Sequence, residues 1–277
     1  MQKKVASKKS TALAVVDDKS MEALREFYPV ETGYQAILLP RLSFVSQDKT
    51  EESGTGKNKK ITVVTAAGTF FTERQGENEV ENAEGKMVKE WLKEEIGESI
   101  EGIILYNRKQ LKYYDQKTEE FTSSPVYDTE DEVIPLWKDK VEVARGTPKE
   151  LKAKYQYTDA EGKVKTRLEE NRILYILYEG EVHQLNLRGS SMFSFLTWSK
   201  KLMPPAYLTE MSSEPMQKGD IAWNKMTFTV VRPLTKKEME DVIAKGKEIK
   251  TGIAIQKAAF ASNTAEVIKA DKKFNDF

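Results

Sequence analysis

The clearest alternation of apolar and polar positions lies in RILYILYEGEVHQLNLR, residues 172–188. Two β-rich arms flank Glu179-Gly180-Glu181, so the pattern predicts a hairpin over 172–178 and 182–188. Upstream, residues 102–115 of IEGIILYNRKQLKYYD read as one strand. Downstream, AYLTEMSSEPM and DIAWNKMTFTVV predict strands over 206–214 and 221–231. Between hairpin and strands, RGSSMFSFLTWSKKLMP breaks the alternation and predicts a helix over 191–203. On a helical wheel Met192, Phe195, Leu196, Ser199, Leu202 and Met203 share one side. Phe193 and Trp198 flank that face. Gly189 would turn the chain out of the strand, and Ser190 or Ser191 would cap the helix.

Other helices announce themselves by their ends. Thr147 followed by Pro148 predicts a capped start for KELKAKYQ. Thr235 with Glu238 three residues on is a capping box opening a helix over PLTKKEMEDVIAKGKEI. Ser20 would cap a short helix, SMEALREF. KMVKEWLKEEIGE places Met87, Val88, Trp91, Leu92 and Ile96 near one helical face. ETGYQAILLPRLSFVSQ leans to β and is bent at Pro40, and ITVVTAAGTFFTER predicts strands about a turn near Ala67-Gly68. The polar runs 48–60 and 74–86 read as loops. Residues 121–140 read as an irregular excursion, and 157–170 as a tip around Glu161-Gly162.

This organisation predicts a basic N-terminal arm over 1–20, one domain over 21–235, and a C-terminal helix with a tail over 236–277. The fold class is mainly β with helices (α+β).

Composition removes most chemistry. There are 277 residues and no cysteine, which excludes disulfides, thiolate metal sites and cysteine nucleophiles. A single histidine, His183, leaves little for a triad or an imidazole metal site. The 44 basic and 44 acidic side chains cancel, so any polyanion must be bound by local patches. No apolar run approaches the ~20 residues of a membrane span. A cytoplasmic, soluble protein is expected (host cytoplasm for a viral one), without cofactor or metal and with no membrane contact.

Candidate motifs are weak. SGTGKN lacks the first glycine and final Ser/Thr of a phosphate loop. DTEDE, residues 128–132, offers carboxylates to a cation without the Asp/Gly spacing of a calcium loop. A serine nucleophile at 190 or 191 would depend on His183, in the preceding strand. An anion held at the helix start near Arg188 fits better, and a plain cap on a core helix better still.

The strand LYNRKQLKYYD carries more. If it is continuous, Tyr106, Arg108, Gln110, Lys112 and Tyr114 share a face. Cations following phosphates and rings stacking on bases are how single strands are held. Trp137, Lys138, Trp223 and Arg188 could add to it.

From residue 102 the order is strand, an insertion, a two-strand hairpin, a helix, then two strands. That is the order of the OB-fold, a five-stranded barrel whose helix plugs one end. With LYNRKQLKYY and the terminal FNDF, the chain resembles the single-stranded DNA-binding proteins of bacteriophage type. The resemblance implies an OB-like barrel with long loop insertions, a plugging helix and a C-terminal helical tail. It implies a non-enzymatic protein that binds single-stranded DNA in replication or recombination, through Tyr106, Arg108, Lys112, Tyr114, Trp137, Lys138 and Arg188. It also implies a tail whose Asp276 and Phe277 recruit replication or recombination proteins, though Lys272 and Lys273 interrupt its acidity. An oligomer is compatible with all of this. Two other readings stand beside it: a phage structural or assembly protein, and a metal-dependent nuclease or accessory factor using DTEDE.

Overall fold

A computed structural model describes residues 39–53, 60–81, 87–115, 118–138, 141–251 and 253. The N-terminal arm, the SMEALREF segment, most of SGTGKN and the tail with Asp276 and Phe277 lie outside them. The class is α+β, dominated by strands.

The strands are β1 (Arg41–Phe44), β2 (Lys49–Ser53), β3 (Lys60–Thr65), β4 (Phe70–Glu81), β5 (Met87–Gly97) and β6 (Ser99–Asp115). Then come β7 (Glu120–Tyr127), β8 (Ile134–Lys138), β9 (Val141–Gly146) and helix α1 (Pro148–Lys154). The hairpin β10 (Gln156–Thr158) and β11 (Val164–Thr166) precedes β12 (Glu169–Tyr178) and β13 (Glu181–Leu187). Helix α2 (Gly189–Ser199) leads through a 3-10 turn, Pro204–Ala206, to β14 (Tyr207–Lys218) and β15 (Ile221–Pro233). A last helix, α3, covers 236–251.

Nine strands follow the order β5-β4-β1-β13-β12-β6-β7-β8-β9, and β14 branches from β6 with β15 beyond it. Strand β6 is the axis. Its middle pairs with β12 from Ile103↔Leu177 to Lys112↔Glu169, its start with β14, and its end with β7. The parallel neighbour of β13 is β1, with Leu42↔Leu185. The pairing does not close into a barrel. The nearest approach to closure is Asn224 N donating to Ser46 O at 2.6 Å, between β15 and the turn after β1. Gly68, in the turn between β3 and β4, donates its N–H to Val45 O at 2.7 Å; its φ is +94°, and a Cβ there would meet Ser213 Oγ at 2.6 Å.

Three apolar cores result. One face of the sheet puts Ile104, Leu174, Ile176, Leu185 and Leu187 against Phe195 of α2 and Phe228 of β15. The other puts Leu105, Tyr106, Ile173 and Tyr175 against Met239, Val242, Ile249 and Ile253. Hence α3 is part of the packed domain and no appendage. A register shift between Tyr175 and Ile176 opposes Tyr106 to Tyr175 and Ile104 to Ile176. Leu105 is the extra residue of a bulge, which turns Tyr106 to the α3 side along with Leu105. The insertion has its own core of Leu111, Tyr127, Ile134, Leu136 and Leu151.

The local expectations fare unevenly. The β12–β13 hairpin with its Glu179-Gly180 turn forms as expected. Thr147 and Glu150 make a reciprocal capping box with Pro148 in the first turn, and Thr235 and Glu238 do the same for α3. The 87–97 segment, expected helical, is β5, paired to β4 from Phe70↔Gly97 to Glu81↔Met87. A hairpin partner overrides a spacing that suits either structure. That partner includes residues 74–81 of the expected loop. The 48–60 loop contains β2 and the start of β3, the 121–140 excursion is the ordered pair β7–β8, and the tip near Gly162 is the β10–β11 turn.

Helix α2 departs from its predicted frame. It runs Gly189–Ser199, leaving Leu202 and Met203 beyond it, and Arg188 is its N-cap with no side-chain cap bond. Neither serine caps. Ser191 Oγ accepts from Met226 N at 2.9 Å, and Ser190 Oγ accepts from Trp223 Nε1 at 3.1 Å. Both tie α2 to β15. Gly189, with φ +52°, takes the sharp turn.

Candidate nucleic-acid interface

The candidate strand face is continuous in β6, but its two ends meet different surroundings. Tyr106 and Arg108 lie in the half covered by α3 and by the turn at Asp128. Arg108 is 1% exposed. Its Nε donates to Asp128 Oδ1 at 2.7 Å and its Nη2 to Asp128 Oδ2 and to Val126 O, both at 3.1 Å. Tyr106 OH donates to the same carboxylate at 3.3 Å. Burial works against the guanidinium's charge, but Asp128 more than reverses this and holds its proton on. Burial, then the Asp128 charge, pushes the Tyr106 phenol well above its ordinary range. These two residues are therefore corrected from surface contacts to core: a strand lying on the protein cannot reach them.

Past Gln110 the same face opens. Lys112 and Tyr114 enter a cleft of about 650 Å³, with Tyr113 and Phe121, Tyr157 and Arg167 of the β10–β11 hairpin, Glu169 and Asn171 of β12, and Arg188. Tyr114 and Phe121 pack with their ring centroids 4.6 Å apart and their planes tilted by 37°. Arg167 lies 5.7 Å from the Tyr157 ring centre. Burial, then Arg41, then Arg188 hold the Lys112 ammonium below the ordinary lysine value. Mutually repelling cations there are stabilised by an incoming anion.

Arg188 and Glu169 also line a second cleft of about 370 Å³, bounded by Phe44, Gln47, Ser190, Trp223 and Asn224. The two clefts are thus contiguous across Arg188. The Ser190 bond holds the Trp223 ring at the far wall.

Trp137 and Lys138 are not brought to the cleft: they sit on β8, half-buried, and Lys138 Nζ pairs with Glu120 Oε2 at 2.6 Å. Three of the four DTEDE carboxylates are already engaged, one within its own turn and two by cations of β6. Glu132 accepts from the amides of Asp128 and Thr129, Asp128 holds Arg108, and Glu130 pairs with Lys109. Among the described residues no group of three or more His, Cys, Asp or Glu could hold a metal. His183 is buried in β13 against the Tyr178 ring, its Nδ1 3.2 Å from Glu181 O, and burial lowers its pKa.

Sequence reasoning missed Phe121, Tyr157, Arg167, Glu169 and Asn171. The one available signal was Tyr157 and Arg167 flanking the Asp159–Gly162 turn, where a hairpin would set an aromatic beside a cation. Comparison with protein-family models, curated proteins and solved structures yields no match.

Proposed function

We propose that this chain is a non-enzymatic protein that binds single-stranded DNA along the two contiguous clefts and protects and straightens exposed strands in replication or recombination. The observation that carries the reading is the cleft's composition. Lys112, Arg167 and Arg188 form no ion pair with any described residue, and they share the cleft with the rings of Tyr114, Phe121 and Tyr157. Cations spaced among flat side chains suit phosphates and bases of an unpaired strand. A duplex hides its base faces and would leave the rings unused.

The fold reading that accompanies it is an OB-like barrel, in which α2 plugs one end. The order β6, β12, β13, α2, β14, β15 and the β6–β14 ladder support it. Strand β1, parallel to β13, adds a sixth strand to the five of that order. In this reading the tail with Asp276 and Phe277 recruits replication proteins, so deleting 265–277 leaves DNA affinity equal or higher.

The test is titration of full-length protein with an oligothymidine and its duplex at several salt concentrations. Single strands bind preferentially. Arg188→Ala or Arg167→Ala lowers the slope of log affinity on log salt by about 0.7 each. Equal or absent binding to both DNAs refutes the reading. A phage assembly protein is the second reading, favoured by the outer edge of β9, where Val141 and Val143 are 64% and 40% exposed. High-order assembly without DNA affinity would select it.

A further inference from the structure

The cleft contains two groups that phosphate binding does not explain. Glu169 and Asn171 stand two residues apart on β12, hence on one face, opposite Lys112 and Gln110 of β6. Asn171 is 5% exposed, yet it lines the cleft, and its amide makes no hydrogen bond with any described residue. Glu169 lines both clefts and is exposed. It forms no ion pair with any described residue, although Lys112 is its cross-strand partner. The Asn171 amide atoms are not among the buried polar atoms left without a partner, so water reaches them from the cleft and a ligand entering it can take that water's place. A free carboxylate among phosphate-binding cations would weaken binding unless something other than phosphate faced it.

We propose that Glu169 and Asn171 read the Watson–Crick edge of an unstacked base in the cleft and select guanine. The inference rests on the single-strand reading above and adds base preference to it. A carboxylate only accepts hydrogen bonds, whereas a carboxamide both donates and accepts. Guanine presents two adjacent donors, N1–H and the N2 amino group, which match the two oxygens of Glu169. Its O6 accepts from the Asn171 amide. Thymine and uracil place a single N3–H between two carbonyls, which the carboxylate repels. Adenine and cytosine each set one amino group beside a ring nitrogen that also accepts. Unstacked bases are read on this edge, and the flanking rings of Tyr114, Phe121 and Tyr157 supply the stack. Lys112 and Arg188 remain for the phosphates on either side.

The experiment compares full-length protein on four labelled oligomers: all thymine, and the same with one central guanine, adenine or hypoxanthine. The guanine oligomer is expected to bind about tenfold more tightly than all-thymine. Hypoxanthine, which lacks the N2 amino group, loses most of that gain. Glu169→Gln, isosteric at an exposed position, tightens thymine binding and compresses the guanine ratio toward one; Asn171→Ala also compresses it. Equal affinity for all four oligomers overturns the proposal and leaves single-strand binding standing. So does a Glu169→Gln variant that tightens every oligomer alike with its ratio retained. Failure to bind any of them overturns the single-strand reading as well.

Discussion

Removing the Asp128 carboxylate should destabilise this protein severely without touching the cleft proposed to bind DNA. The Arg108 and Asp128 side chains are 0% and 1% exposed, with Nε and Oδ1 2.7 Å apart. In Asp128→Ala the guanidinium stays buried, keeping only Val126 O among its present partners, and Tyr106 OH loses its acceptor. Breaking a buried pair from one side costs about 3–5 kcal/mol. For a domain this size that is a fall in Tm of roughly 6–20 °C. Replacing both partners, as in Arg108→Met with Asp128→Leu, should recover most of the loss, because no charge is then stranded. Calorimetry and urea unfolding of the two single variants and the double measure this directly. The binding arm completes the argument: Arg108→Met keeps the wild-type salt slope on oligothymidine, whereas Arg188→Ala flattens it by about 0.7. A loss under about 1 kcal/mol for Asp128→Ala, with Arg108→Met flattening the slope as Arg188→Ala does, would place Arg108 at the surface and refute the buried network.

Three further outcomes are expected. Ser191→Ala strands the buried Met226 amide and costs about 1–3 kcal/mol by urea unfolding, while Ser190→Ala acts mainly on Trp223 fluorescence. Tyr157→Ala weakens oligothymidine binding by roughly 1–3 kcal/mol with little change in salt slope, because a ring displaces no counterion. Arg232, then the Thr235 cap, holds Glu238 down at about 2. Its stabilisation is therefore complete above the ordinary carboxylate range and lost as pH falls toward 2, and Glu238→Gln should remove up to about 1 kcal/mol of that acid dependence in Tm measured against pH.

What the sequence revealed was what short-range chemistry decides. The capping boxes at Thr147 and Thr235 need only a hydroxyl and a carboxylate three residues apart, and both form. The β12–β13 hairpin needs only alternation and a Gly-containing turn. Strand β5 needed more, since Met87 to Ile96 suits a helix until β4 supplies a partner. The α2 serines were misread for a similar reason: Ser190 and Ser191 have the chemistry of caps, but β15 offers them Trp223 and Met226. In the site, alternation rightly grouped Lys112 with Tyr114. It could not show that residues far along the chain, Met239 to Ile253, cover the Tyr106 end of that face. Asn171 was invisible because its significance is its place in the assembled cleft, opposite Gln110 and two residues from Glu169.

Net charge was the least informative quantity, and the structure explains why. A chain with 44 cations and 44 anions has no field to steer a polyanion from afar. Within about 10 Å, the Debye length at ordinary salt, only the local arrangement counts. Away from the cleft some cations are matched to carboxylates, Lys138 to Glu120, Arg145 to Glu142, Lys152 to Glu170, Lys225 to Glu214 and Arg232 to Glu238, while others, Lys149, Lys200 and Lys237 among them, form no ion pair with any described residue. In the cleft Lys112, Arg167 and Arg188 likewise form no ion pair with any described residue, Glu169 included, and what sets them apart is that they share one concavity with aromatic rings. Neutrality overall and attraction locally are compatible because these three cations are gathered in one cleft. Attraction from so few cations is short-ranged and salt-sensitive, so on the proposed reading orientation within the groove falls to the rings and to Glu169 and Asn171 on β12.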